Sequence, residues 1–136
     1  MTTGPTDAMP VTSQDDVVRV RQVVRTAAAS AGFSLVDQTK IVTAASELAR
    51  NTLVHGGGGS VGIEQTVNER GKPGLRIVFS DAGPGIPDQE QALVDGWSSG
   101  NGLGLGLSGT RRLVDEFSLE SEPGEGTTVT VVKWTR

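Results

Sequence analysis

The chain has 136 residues, 35% hydrophobic and 21% charged, with a formal net charge of -4; that length suits one domain around one core. Its lack of cysteine removes disulfides, thiolate metal sites and a cysteine nucleophile, and fits a reducing compartment. Its acidic balance disfavours nucleic acid, which is gripped by Lys and Arg on phosphates, and no stretch nears the roughly 20 apolar residues that span a bilayer.

The opening MTTGPTDAMP has neither the basic start nor the apolar run of a signal peptide. A cytoplasmic protein without membrane or nucleic-acid partners is expected, folded as a single domain over 1–136 with 1–8 disordered. Met9 to Thr12 suits a short edge strand. Ser13 with Asp16 resembles a capping box, and Val17, Val20, Val24, Ala27 and Ala31 then make a helical stripe. Gly32 ends that helix. Ser34 or Asp37 can cap a second one, which runs to about Val54 with Ile41, Ala45, Leu48 and Thr52 on one face, stopped by Gly56 to Gly59.

Val61, Ile63 and Val67 alternate, and after the turn at Gly71 to Gly74 so do Leu75, Ile77 and Phe79, which predicts an antiparallel strand pair. A turn at DAGPGIPD and a short helix near Gln89 to Val94 follow. Leu107, Thr110, Leu113, Val114 and Phe117 predict a helix starting near Gly106. Two strands close the chain, Phe117 to Glu122 and Thr127 to Trp134, around the turn Pro123 to Gly126. The expected class is α+β: a two-layer α/β sandwich, mostly antiparallel sheet with helices on one face.

The run GNGLGLGLSG, Gly100 to Gly109, contains G-x-G-x-x-G, but no strand precedes it and no βαβ unit encloses it, so a dinucleotide fingerprint is rejected. With no Gly-Lys-Ser/Thr it is not a P-loop either. A glycine loop feeding a helix N-terminus suits an anion, because unpaired N–H groups and the dipole end face it. A plain loop explains this feature alone about as well.

Glu47, Asn51 and His55 fall at i, i+4 and i+8 on the second helix, along one side. A solvated polar face is the usual reason for such a row. Asn51, however, is an indifferent helix former, and an amide oxygen beside a carboxylate could hold Mg²⁺ and orient a nucleophile. His55 has no second histidine or cysteine with which to form a metal site. Asp81 follows Leu75, Ile77 and Phe79 on the core-facing side of its strand, where a carboxylate needs a partner. It suits an exocyclic amine, or an Asx turn before Gly83. Thr127 opens the last strand on the face of Val129 and Val131; were that strand beside the one ending in Asp81, hydroxyl and carboxylate would meet at one pocket floor.

The order Glu-x3-Asn on a helix, Asp-x-Gly-x-Gly, Gly-x-Gly-x-Gly before a helix and Gly-Thr resembles the GHKL ATPase superfamily from about Ser46 to Thr127. The segments VDQTKIVTAASELARN, DAGPGIPD and GLGLGLSGTRRLVDEFSLESEPGEGT, with a final KW, are similar to the bacterial serine-protein kinases that act as anti-sigma factors and stressosome switch kinases. The resemblance implies the GHKL, or Bergerat, fold and binding of ATP with Mg²⁺. It implies Asn51 as the Mg²⁺ ligand, Glu47 as general base toward the incoming hydroxyl, and Asp81 as acceptor for the adenine amino group with Thr127 beside it through a water. Gly83, Gly85 and Ile86 would border the adenine. Gly102, Leu103, Gly104, Leu105, Gly106 and Leu107 would form the lid and helix start around the phosphates.

By the same resemblance the substrate is a serine or threonine of a STAS-domain antagonist protein. Its phosphorylation would free the kinase to bind and activate a PP2C-type phosphatase in a stress-response sigma-factor pathway. The alternatives are an anti-sigma factor that sequesters a sigma subunit directly, and a nucleotide-binding interaction module without chemistry. The short lid and the His55 to Gly59 run depart from the family pattern. Arg21, Arg111 and Arg112 are candidates for a cation near the γ-phosphate, although a solvated helix face is the commoner reason for each.

Overall fold

The computed structural model describes residues 8–83, 106–122 and 124–136. The predicted turn from Pro84 onward, the predicted helix near Gln89 to Val94 and the glycines up to Leu105 lie outside them. Five strands, β1 (Met9–Val11), β2 (Gly59–Val67), β3 (Pro73–Asp81), β4 (Glu116–Glu122) and β5 (Gly126–Trp134), form one sheet in the order β1-β2-β3-β5-β4. Every neighbouring pair is antiparallel. Among the described residues the helices are α1 (Gln14–Ala31), α2 (Leu35–Val54) and α3 (Gly106–Arg111). This is the α+β class expected, an open antiparallel sheet with helices packed on it.

Both long helices begin where side chains satisfy their orphan amides. Ser13 Oγ accepts from the Asp16 N–H at 3.3 Å, and Ser34 Oγ accepts from the Asp37 N–H at 3.1 Å. Asp16 in turn accepts from the Thr12 N–H and hydroxyl, at 2.9 and 3.0 Å, and these bonds hold its carboxyl below the usual carboxylate range. Gly32, at φ 94°, ends α1 in a left-handed conformation that suits glycine.

The helical stripes and the strand alternation meet in one core. Val17, Val20, Val24 and Ala28 from α1 and Ile41, Ala45 and Leu48 from α2 cover Val61, Ile63, Leu75, Ile77, Phe79, Val129 and Val131. Register makes the sheet side of that core continuous: Ile63 stands opposite Ile77, and Ile77 opposite Val131. Each of the Val, Leu, Ile and Phe side chains among them, fully buried, stabilises the fold by roughly 1.5–3 kcal/mol.

A lysine is buried on this face. Lys133, opposite Leu75 in the register, is 2% exposed. Its Nζ lies 3.8 Å from Oδ1 of the buried Asp37, whose Oδ2 lies 3.7 Å from Arg136 Nε. The end of the last strand is thereby tied to the start of α2.

The third helix is shorter than its apolar spacing predicts. After Arg111 the chain closes with three-residue turns, Arg112 N–H to Gly109 O at 3.2 Å and Leu113 N–H to Thr110 O at 3.0 Å. The Asp115 N–H then donates to Val132 O at 2.9 Å, and Phe117 pairs with Val131. Phe117 thus packs against the core from a strand paired with β5.

Candidate functional site

At the C-terminal end of α2 the chain doubles back onto the sheet. The Asn51 carbonyl accepts from the N–H groups of both His55 and Gly56, at 2.9 and 3.2 Å, and the Thr52 carbonyl accepts from the Gly58 N–H at 3.0 Å. Gly57 and Gly58 take positive φ values, 73° and 105°, which let the helix end and β2 begin within so few residues.

This return places glycine backbone against the end of β3. A Cβ on Gly56 would come within 2.6 Å of Asp81 Oδ2, and one on Gly83 would come within 2.8 Å of the Gly56 Cα. Neither position has room for a side chain. The loop after the Asn51 helix and the Asp81-Ala82-Gly83 segment are therefore packed backbone to backbone.

Asp81 accepts from the Gly83 N–H through Oδ1 at 2.9 Å, the Asx turn that the sequence allowed. In the sheet it stands directly opposite Thr127 on β5, so the conditional juxtaposition of hydroxyl and carboxylate is realised by the strand order. Thr127 is itself opposite Ser121 on β4, and the two hydroxyl oxygens are 2.9 Å apart. Gly126, at φ 93°, brings its backbone onto the Asp81 carbonyl, where a Cβ would collide.

Glu47 lies one helical turn before Asn51, and both side chains are half-buried. Its Oε2 is buried and has no hydrogen-bond partner among the described residues. Burial pushes its carboxyl above the usual range, with the Arg50 charge opposing. An unsatisfied buried carboxylate oxygen costs stability, so its presence beside an Asn amide points to a group received from outside the chain. A carboxylate and an amide oxygen are hard donors, and such a set fits Mg²⁺.

Of the remaining predicted residues, Gly106 opens α3 and Leu107 packs into the core at 7% exposure. Gly85, Ile86, Gly102, Leu103, Gly104 and Leu105 lie outside the described residues. His55 and Arg111 are exposed, and Arg21, also exposed, donates to Ser46 Oγ at 3.1 Å. No group of three or more His, Cys, Asp or Glu suited to a metal occurs among the described residues, and no helix among them is long and apolar enough to cross a membrane.

Two parts of this arrangement have no motif in the sequence. Gly56 looks there like a helix stop alone, and Ser121 like an ordinary strand residue. Ser121 was within reach, since it alternates with Phe117 and Leu119 and stands across a tight turn from Thr127.

The helix-borne Glu and Asn, the strand-end Asp and the Gly-Thr strand start all fall within the span of one family match. Residues 36–135 match the family of histidine kinase-, DNA gyrase B-, and HSP90-like ATPases, HATPase_c, and the chain belongs to it. Within that family it is a serine/threonine-protein kinase of the RsbT type. It is 53% identical to Serine/threonine-protein kinase RsbT of Bacillus subtilis (strain 168) over 121 residues, 89% of this chain and 90% of that one. It is also 30% identical to the Anti-sigma F factor of Thermoanaerobacter sp. (strain X514), over 84% of this chain and 82% of the other. The fold recurs, at 23% identity and a TM-score of 0.64, in a crystal structure of the RsbU and RsbW domains of a Mycobacterium tuberculosis protein. That match covers 98% of this chain and 33% of the solved one. The family implies use of ATP.

Proposed function

We propose that this kinase binds ATP between the sheet and the helices and transfers its γ-phosphate to a serine or threonine of a STAS-domain antagonist. The observation that carries the reading is Glu47, one turn from Asn51, with a buried carboxylate oxygen that has no hydrogen-bond partner among the described residues. A general base must be an unengaged acceptor with a raised pKa, in a place that excludes water. Glu47 would accept the proton of the incoming hydroxyl as the oxygen attacks. Asp81 would accept from the adenine amino group, with Thr127 beside it through a water. Gly56, Gly83 and Gly126 keep side chains away from the Asp81 segment. Gly85 and Ile86 would border the base, and Gly102 to Leu107 would close over the phosphates. Asn51 would hold Mg²⁺ through its amide oxygen, and the ion, when bound, supplies neutralisation of phosphate charge.

The role of the enzyme is partner switching in the cytoplasm: once its antagonist is phosphorylated it binds and activates a PP2C-type phosphatase in a stress-response pathway. The likeness to RsbT supports this role. Transfer of radiolabel from ATP to a STAS protein, lost in Glu47→Ala, is the expected result; transfer that survives this substitution removes Glu47 as base. The similarity to anti-sigma F factors favours a second reading, direct sequestration of a sigma subunit. Recovery of a sigma factor rather than a phosphatase by pull-down from the native cell would select it.

A further inference from the structure

We infer that Gly56 is a positioning residue, a spacer that sets the distance between the base end and the phosphate end of the nucleotide site. This rests on the reading of Asp81 as acceptor for the adenine amine and of Asn51 and Glu47 as the phosphate end. The Gly56 N–H donates to the Asn51 carbonyl at 3.2 Å. On its other side, the direction a Gly56 side chain would take leads into Asp81, whose Oδ1 accepts from the Gly83 N–H at 2.9 Å. One path of contacts therefore runs from Asn51 through Gly56 to Asp81 and Gly83.

A methyl group on Gly56 would break this spacing in a way that no rotamer repairs. It would lie 2.5 Å from Asp81 Cβ as well as 2.6 Å from Oδ2. Rotation about χ1 carries Oδ2 away but leaves Cβ in place, so backbone must separate, by about 1 Å to regain ordinary carbon–carbon contact.

The elements on either side decide where that displacement goes. Asp81 is pinned in the sheet between Gly59 on β2 and Thr127 on β5. Gly83 rests on the same glycine, its own Cβ direction closed at 2.8 Å by the Gly56 Cα and carbonyl oxygen. The 56–58 return is tied to the helix, because the amides of Gly56 and Gly58 are bonded to the Asn51 and Thr52 carbonyls. A side chain at Gly56 therefore pushes the Asn51 end of α2 away from β3, and the base end keeps its shape. A nucleoside triphosphate reaches both ends through one set of covalent bonds and feels the change; a ligand of the base end alone does not.

Chemical-shift titration of the full chain with Mg-ATP and with adenosine tests this. The wild-type protein is expected to bind Mg-ATP more tightly than adenosine. In Gly56→Ala the affinity for Mg-ATP should fall about tenfold and phosphotransfer about 10²-fold, the scale set by a 1 Å misplacement, while the affinity for adenosine is unchanged. Two affinities that keep their wild-type ratio, whether both weaken or neither does, show a purely structural role and overturn the proposal. Gly57→Ala separates spacing from backbone strain: Gly57 has φ 73° but nothing within 4 Å of its Cβ position, so this variant should melt earlier yet keep the wild-type ratio. The Gly56→Ala pattern in Gly57→Ala would assign the effect to loop strain and overturn the proposal. If Gly56→Ala does not fold, amide exchange in the wild-type chain carries the test. Adenosine alone should slow exchange at Gly56 as well as at Gly83, and protection that stops at Gly83 overturns the proposal equally. Failure of the underlying reading looks different: the wild-type protein does not bind adenosine, or Asp81→Asn binds it as well as the wild type does.

Discussion

Helix α2 carries two acidic residues that the structure treats in opposite ways. Asp37, in its first turn, is buried against the Lys133 ammonium and the Arg136 guanidinium, and its backbone N–H is capped by Ser34. Glu47, farther along, has a buried oxygen that no described group satisfies. The first carboxylate is spent on holding the last strand to the helix layer. The second is kept unspent at a cost in stability, the pattern of a group reserved for a reaction. On the proposed function, the start of α2 serves the fold and the Glu47 turn serves the chemistry.

The sharpest way to break this contrast is at Glu47. Replacement by Gln keeps the shape and removes the base, so phosphotransfer should fall by about 10²–10⁴-fold in a radiolabel assay. The melting temperature should hold or rise, because a buried charge has been removed. A large fall in melting temperature would make Glu47 a second Asp37. The reverse is expected for Asp37→Ala, which leaves the Lys133 ammonium buried without its nearest carboxylate. Denaturant unfolding should report a loss of about 3–5 kcal/mol, with unchanged ATP affinity in the protein that remains folded. Because a buried pair can be exchanged for apolar groups at little cost, Asp37→Leu combined with Lys133→Met should recover much of that loss.

Acid separates the two ends differently. The folded-state pKa of Glu47 is raised, so across the window between its unfolded and folded values the native protein holds the extra proton. Glu47 therefore costs stability increasingly as pH rises through that window, while activity climbs with its deprotonation. Asp16, whose folded pKa is depressed, behaves oppositely: its contribution is present above the unfolded value and is lost as pH falls through the folded one. A pH–rate profile whose acidic limb moves in Arg50→Gln, which removes the charge opposing the Glu47 shift, would tie that limb to Glu47. The smallest effect is expected at the Asp37 end, where Ser34→Ala removes a helix cap and should cost about 1 kcal/mol by thermal unfolding, without change in kinase activity.

Much of the fold was legible because it is written in periodicities. The caps at Ser13 and Ser34, the glycine stop at Gly32 and the alternation through Leu75, Ile77 and Phe79 are local features, and their elements formed where expected. The helix α3 ends before Leu113 and Val114, although both fit its period, while the strand expected from Phe117 forms over Glu116–Glu122. Strand pairing with Val132 and Val131, a non-local gain, ended the helix earlier. Lys133 was invisible as a core residue, since nothing near it in sequence announces a carboxylate on a distant helix.

The candidate site divides along the same line. Glu47 and Asn51 could be placed on one helix face, and Asp81 on the inward side of its strand, because helical and strand periods dictate which residues share a side. The order of motifs along the chain carried the family. Tertiary structure decided the rest: that β5 inserts between β3 and β4 and brings Thr127 opposite Asp81, that Gly56 lies on the Asp81 carboxylate, and that Ser121 completes the row. Local sequence governs conformation and sidedness through backbone sterics and periodicity. Which strands become neighbours, and which carboxylates are buried against a cation, is settled only when the whole core and sheet are closed at once.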